Sequence, residues 1–239
     1  MSRFSFISNK ITNLRLRYAR TSQKRFIAFL RKQGVKIGDN VHFYGQLKYS
    51  SVDVSRPSLI SIGNNVSFNA GIQLITHDFA SWVFRYRYGE LVNSSGHIKI
   101  GNNVGFGRNV IVLKNVTIGD NCFIGINSVV MHDIPSNSIA IGCPAKVICT
   151  IDEYYEKRKK ECIEEAFEYA KSIQERYHRR PKPEELWEEF PLFVDKENMP
   201  LYPNLPYKRQ LRSSLNYWIE HHQKQYDGFE EFLKAAGIE

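Results

Sequence analysis

The chain has 239 residues, of which 42% are hydrophobic and 24% charged, a balance that fits a soluble globular protein and excludes a disordered one. Its longest unbroken apolar stretches, such as Phe26 to Leu30, run about five residues, against the roughly 20 that a membrane span requires. The net charge of +8 is local: residues 1–36 hold ten Lys and Arg and no acid, leaving 23 basic and 25 acidic residues elsewhere, and no recognition motif accompanies it, so nucleic acid is not expected as a partner.

Taken in chain order, residues 8–33 read as one or two basic helices with Leu14, Leu16, Tyr18, Phe26, Phe29 and Leu30 as apolar positions. We assign residues 1–34 to a basic helical cap over the open end of the repeats that follow. Its charge also suits attraction to anionic lipid, so peripheral association with the inner face of a membrane is an expectation. There is no apolar h-region for a secretory signal. The four cysteines at 122, 143, 149 and 162 form no C-x-x-C pair. A cytoplasmic location with free thiols is therefore expected.

An internal repeat occupies the middle of the chain. Apolar residues recur every six positions at Ile100, Phe106, Val112, Ile118, Ile124 and Val130. Four residues after each stands a small or branched side chain, from Val104 and Val110 to Ser128 and Ile134. Turns such as Gly101-Asn102-Asn103 and Gly119-Asp120-Asn121 intervene, where Asn and Asp tolerate left-handed backbone. The same phase appears at Ile62, Phe68 and Leu74, and at Ile37 and Phe43. A period of six is neither that of a helix nor that of an ordinary strand. It suits a coil of three short flat faces, which stacks Ile100 over Ile118 and Phe106 over Ile124. The repeat breaks at Thr76-His77-Asp78 and resumes at His97-Ile98-Lys99-Ile100, so 76–97 reads as a loop rich in aromatics and arginines, including Trp82 and Arg85. Ile141-Gly142-Cys143-Pro144-Ala145-Lys146 closes the coil.

Residues 151–178 form a charged helix with an apolar stripe of Ile163, Ala166, Phe167, Ala170, Ile173 and Tyr177. A proline-rich connection follows, then a helix around Leu211, Leu215, Trp218 and Ile219, and a short final one ending near Ala236. This tail holds 15 of the 31 aromatic residues, so it should bury surface. The division is thus 1–34, 35–150 and 151–239.

The repeat and its closing segment resemble those of the hexapeptide-repeat acyltransferases, of the sugar and capsular polysaccharide O-acetyltransferase type that includes maltose and galactoside acetyltransferases. The resemblance implies a mainly β fold: a left-handed parallel β-helix of hexapeptide repeats, with N-terminal helices and a C-terminal α-helical extension. The left hand comes from the resemblance alone, since chain physics favours right-handed crossovers. It implies a homotrimer with active sites at subunit interfaces, acetyl-CoA as co-substrate and a sugar or glycan acceptor. The break after Leu74 aligns His77 with the family's catalytic histidine. Histidine can take a hydroxyl proton at neutral pH as the oxygen attacks a thioester. Asp78 beside it has two readings, capping a turn or orienting the imidazole, and His97 is the reserve base. Carried over by alignment, Arg108, Gly125, Ile126, Met131, His132 and Lys146 form the expected acetyl-CoA site, although Arg108 and Ile126 depart from the usual small residues. Asp53, Arg56, Trp82 and Arg85 are acceptor-binding candidates. His42 and His132 lack the spacing of a three-histidine site, so no metal is expected. The leading reading is O-acetylation of a sugar or surface-polysaccharide precursor. N-acylation of an amino sugar, acetylation of an antibiotic and a non-catalytic scaffold are the alternatives.

Overall fold

The computed structural model describes residues 14–239, which form two compact units dividing between Tyr154 and Tyr155. The first unit opens with α1 (Gln23–Gln33), whose N-cap Ser22 accepts a hydrogen bond from the Arg25 amide at 3.3 Å and whose left-handed Gly34 ends it. Phe26 and Leu30, four apart, are buried, and each such burial contributes about 1.5–3 kcal/mol. Phe26 meets Phe43 edge to face at 5.2 Å, and Gln23 Oε1 accepts the Phe43 amide at 2.8 Å, so α1 covers the first coil and satisfies part of its edge. Leu14 and Tyr18, expected among the apolar contacts, are exposed; Ala19 is buried instead. Residues 8–13 of the expected helix lie outside the described residues.

Four coils follow, each giving one strand to each of three sheets. The first contributes β1 (Lys36–Ile37), β2 (His42–Phe43) and β3 (Ser51–Val52); the second, β4 (Ile60–Ile62), β5 (Val66–Phe68) and β6 (Gln73–Leu74). An insertion containing α2 (Ser81–Tyr88) separates these from β7 (Ile98–Ile100), β8 (Val104–Phe106) and β9 (Ile111–Val112). The last coil holds β10 (Val116–Ile118), β11 (Cys122–Ile124) and β12 (Val129–Val130). All pairings between coils are parallel and in register. The chain is a left-handed parallel β-helix. Three columns of buried side chains result: Ile37-Ile62-Ile100-Ile118, Phe43-Phe68-Phe106-Ile124 and Val52-Leu74-Val112-Val130. In the second, Phe68 stacks on Phe43 at 4.6 Å and on Phe106 at 4.9 Å.

The turns behave as their composition demands. Asn40, Asn65, Asn103, Asn121 and Asn137 have φ of 54–61°. Side chains link successive members, as in Asn103 Nδ2 to Asn121 Oδ1 at 2.9 Å and Asn121 Nδ2 to Asn137 Oδ1 at 2.9 Å. Gly63, Gly101 and Gly119 stack beside them; a Cβ on Gly63 would stand 2.5 Å from the Gly101 carbonyl oxygen. The coil ends in a hairpin, β13 (Ser138–Gly142) and β14 (Ala145–Thr150), whose antiparallel pairing is the exception among the described strands.

A 27-residue helix, α3 (Ile151–Tyr177), runs through the division into the second unit. That unit has an aromatic core of its own. Ala166, Ala170 and Ile173 of α3 are buried with Leu186, Phe190, Phe193, Phe229 and Phe232. Tyr177, expected on the stripe, is 62% exposed because it ends the helix one turn beyond that core. The proline-rich stretch makes three 3₁₀ turns, each with Pro in its first two positions. The single helix expected near Leu215 is divided into α4 (Tyr207–Leu211) and α5 (Leu215–His221), Arg212 between them having φ of 48°. The final helix is α6 (Phe229–Ala235).

Candidate active site

His77 stands just beyond β6, where the coil gives way to the insertion. Its partner comes from the first coil. Val52 stacks on Leu74, and continuing that register one residue sets Asp53 beside Ile75. Asp53 Oδ2 then lies 2.7 Å from His77 Nδ1 and also accepts the Thr76 hydroxyl and the Thr76 amide, the latter at 3.3 Å. Its other oxygen accepts the Ser55 amide at 2.9 Å and the Ser55 hydroxyl at 2.6 Å. Burial pushes the Asp53 carboxyl upward, but the hydrogen bonds from Ser55, Thr76 and His77 outweigh it and hold the group far below the ordinary carboxylate range. An ionised carboxylate can only accept, so His77 Nδ1 carries the proton and donates. In the neutral ring this leaves Nε2 as the acceptor, on a side chain 30% exposed against 9% for Asp53. An imidazole held in this way by a carboxylate has the geometry that general-base chemistry requires.

Asp53, a sequence candidate for acceptor binding, is therefore the residue that orients His77. Of the two readings of Asp78, orienting carboxylate or turn cap, the structure shows the cap: Oδ1 accepts the Ala80 amide at 3.1 Å and Oδ2 pairs with Lys114 Nζ, which holds the carboxyl down at about 2. It caps the turn into α2. Trp82 and Arg85 lie on that helix, which buries no residue, and Trp82 sits between Phe79 and Tyr86 at 6.5 and 5.6 Å. Arg56 reaches across to Asn93 Oδ1 at 3.3 Å. His97 lies at the return of the insertion, with Nε2 3.4 Å from the Thr117 hydroxyl.

The acetyl-CoA candidates fall at two corners of the coil. A Cβ on Gly107, the residue before Arg108, would reach the Ile126 amide at 2.6 Å, and one on Gly125 would meet Ile141 Cγ1 at 2.6 Å; Ile141 pairs with Lys146 across the hairpin. Arg108, Gly125, Ile126 and Lys146 thus share one corner, with both cations exposed. Met131 and His132 follow β12 at another corner, the one where Lys114 follows β9 and His77 follows β6; the register sets His132 level with Lys114 and Thr76. Met131 and His132 are both exposed.

A family model described as bacterial transferase hexapeptide, six repeats, matches residues 97–134, within the first unit. The protein CapG of Staphylococcus aureus is 42% identical over 144 residues, which are 60% of this chain and 79% of CapG. The chain belongs to the hexapeptide-repeat transferase family. The galactoside O-acetyltransferase of Escherichia coli strain K12 is 36% identical to this transferase over 120 residues, 48% of the chain and 57% of that protein. The crystal structure of a maltose O-acetyltransferase from Clostridium difficile 630 aligns with 62% of the transferase and 89% of that chain, at 23% identity and a TM-score of 0.45. Among the described residues, no helix is long and apolar enough to cross a membrane.

Proposed function

We propose that this transferase moves an acetyl group from acetyl-CoA to a hydroxyl of a sugar or surface-polysaccharide precursor, with His77 as general base and Asp53 as its positioning carboxylate. As an acetyltransferase of the hexapeptide-repeat family it uses acetyl-CoA as co-substrate. The observation that carries the proposal is the His77–Asp53 hydrogen bond at the mouth of the insertion. His77 Nε2 accepts the proton of the attacking hydroxyl, and the ionised Asp53 stabilises the imidazolium so formed. The ring then returns that proton to the departing sulfur. Acetyl-CoA supplies the acetyl group as a thioester. The residues of the Arg108–Lys146 corner suit it: two exposed cations for phosphates, beside a backbone that carries no side chain at Gly125.

Within one chain the Arg108–Lys146 corner and the His77 corner are separated by a face of the coil. A homotrimer, in which the donor corner of one subunit meets His77 of the next, reconciles them. Exposed Lys24, Arg25, Arg31 and Lys32 on α1 support attraction to anionic lipid, which sedimentation with anionic vesicles checks.

The test is acetyl transfer from acetyl-CoA to a panel of sugars, with calorimetric titration of acetyl-CoA alongside. His77→Ala should retain acetyl-CoA binding and its melting transition while kcat falls roughly 10²–10⁴-fold. Near-full activity in that variant removes His77 from the chemistry, and no acetyl-CoA binding at millimolar concentration points to a scaffold.

A further inference from the structure

The insertion that follows His77 is tied down from a coil to which it does not belong. Its outgoing arm starts at Asp78 and its return arm passes Ser94. Lys114, immediately beyond β9 and Leu113, donates from Nζ to Asp78 Oδ2 and to Ser94 Oγ together. The Lys114 side chain is 27% exposed and that of Asp78 44%. Asp78 Oδ1 in turn accepts the Ala80 amide at 3.1 Å, which starts α2. The remaining ties are few and polar: Gly96 N to Thr76 O at 2.9 Å and Arg56 to Asn93 at 3.3 Å. Apolar anchoring of the insertion is slight: α2 fully buries no residue, Phe84 is half-buried, and Phe79 and Tyr86 are 72% and 79% exposed.

We propose that Lys114 is a positioning residue, which pins both arms of the insertion 78–95 and so fixes the aromatic helix α2 for the acceptor. The proposal rests on the reading of His77 as the base of an acetyl transfer. His77 itself is held by Asp53 from the first coil, and the donor candidates Arg108 and Lys146 occupy another corner. Loss of the clamp therefore loosens acceptor binding more than it disturbs the base or the donor.

The test uses the full chain and the variants Lys114→Met, Asp78→Asn and Lys114→Arg. Without substrate, amide hydrogen exchange in 78–95 should rise about tenfold in the first two, with less than about twofold change in strands 98–130. With an acceptor on which the wild type is active, KM for that acceptor should rise about tenfold, while kcat and KM for acetyl-CoA stay within about twofold. Lys114→Arg should restore both readouts. Unchanged exchange in 78–95, or an increase spread evenly over the coil, overturns the clamp. A wild type that transfers acetyl to no acceptor overturns the functional reading instead, and the exchange arm still decides the clamp. If Lys114→Met does not fold, Asp78→Asn carries both arms.

Discussion

Asp53 and His77 are 24 residues apart in sequence and 2.7 Å apart in the structure, because one coil of chain brings the end of β6 beside the end of β3. The carboxylate decides which imidazole nitrogen is protonated, and an amide in its place cannot do so with the same authority. In Asp53→Asn, the NH₂ must face either the Ser55 donors or the Thr76 and His77 donors. We expect kcat to fall roughly 10²–10⁴-fold. Stability should fall by about 1–3 kcal/mol through the mismatched donor. Steady-state rates at saturating acetyl-CoA, together with a melting curve, check both; a rate within threefold of wild type would take Asp53 out of the site.

Glycine-to-alanine changes often stabilise a chain by restricting its unfolded state, by about 0.4–1 kcal/mol. Gly101→Ala should do the opposite. A Cβ there would stand 2.4 Å from Asp120 Oδ1 and 2.8 Å from the Gly119 carbonyl, inside a column that has no slack. The expected loss is roughly 1–3 kcal/mol, read as a lower denaturant midpoint. A raised midpoint would mean that the coils can spread locally.

These contacts also show which parts of the molecule a sequence reveals. The columns were legible because two positions in every six, such as Val104 and Phe106, are buried and the left-handed corners favour Asn, so geometry writes itself into spacing. The break at His77 was legible because the spacing stops there, whereas the role proposed for it comes from the family resemblance. The contact of Asp53 with His77 was hidden because a 3₁₀ turn, Leu47–Tyr49, lengthens the step from Phe43 to Val52 to nine residues, which obscures the column position that precedes it. Asp78 attracted the orienting role by adjacency, whereas contact across coils follows register. Helix α2 gave no sign of itself, since a helix with no buried face has no apolar period.

Phe68 is fully buried between two other rings, so its loss empties the middle of a stack. Phe68→Ala should cost about 3–5 kcal/mol and lower the melting temperature of the coil. Phe68→Leu should recover more than half of that loss. Equal melting of the two variants would show that neighbouring coils collapse into the space.

In the second unit, Glu185 accepts from Arg179 at 2.6 and 2.8 Å and from the Lys182 amide at 2.8 Å. Chiefly through the arginine, its carboxyl is pushed down to about 2. A folded value below the unfolded one, near 4.3, means that this contribution is complete above that pH and is lost as pH falls toward 2. The melting-temperature gap between wild type and Glu185→Gln should therefore be widest near neutrality and close progressively below about pH 4. A gap that does not change with pH would show that the pair contributes through packing alone.

A stack of parallel coils has no inherent length, since each finished turn offers the next a row of unpaired amides and carbonyls in the correct register. The reversal at Gly142–Ala145 removes that invitation on one sheet. The chain folds back antiparallel, and the strand it leaves outermost runs the wrong way to seed another turn and carries Lys146. On that sheet the stack therefore ends in a strand of the opposite direction, while β10 and β12 remain the outermost named strands of the other two.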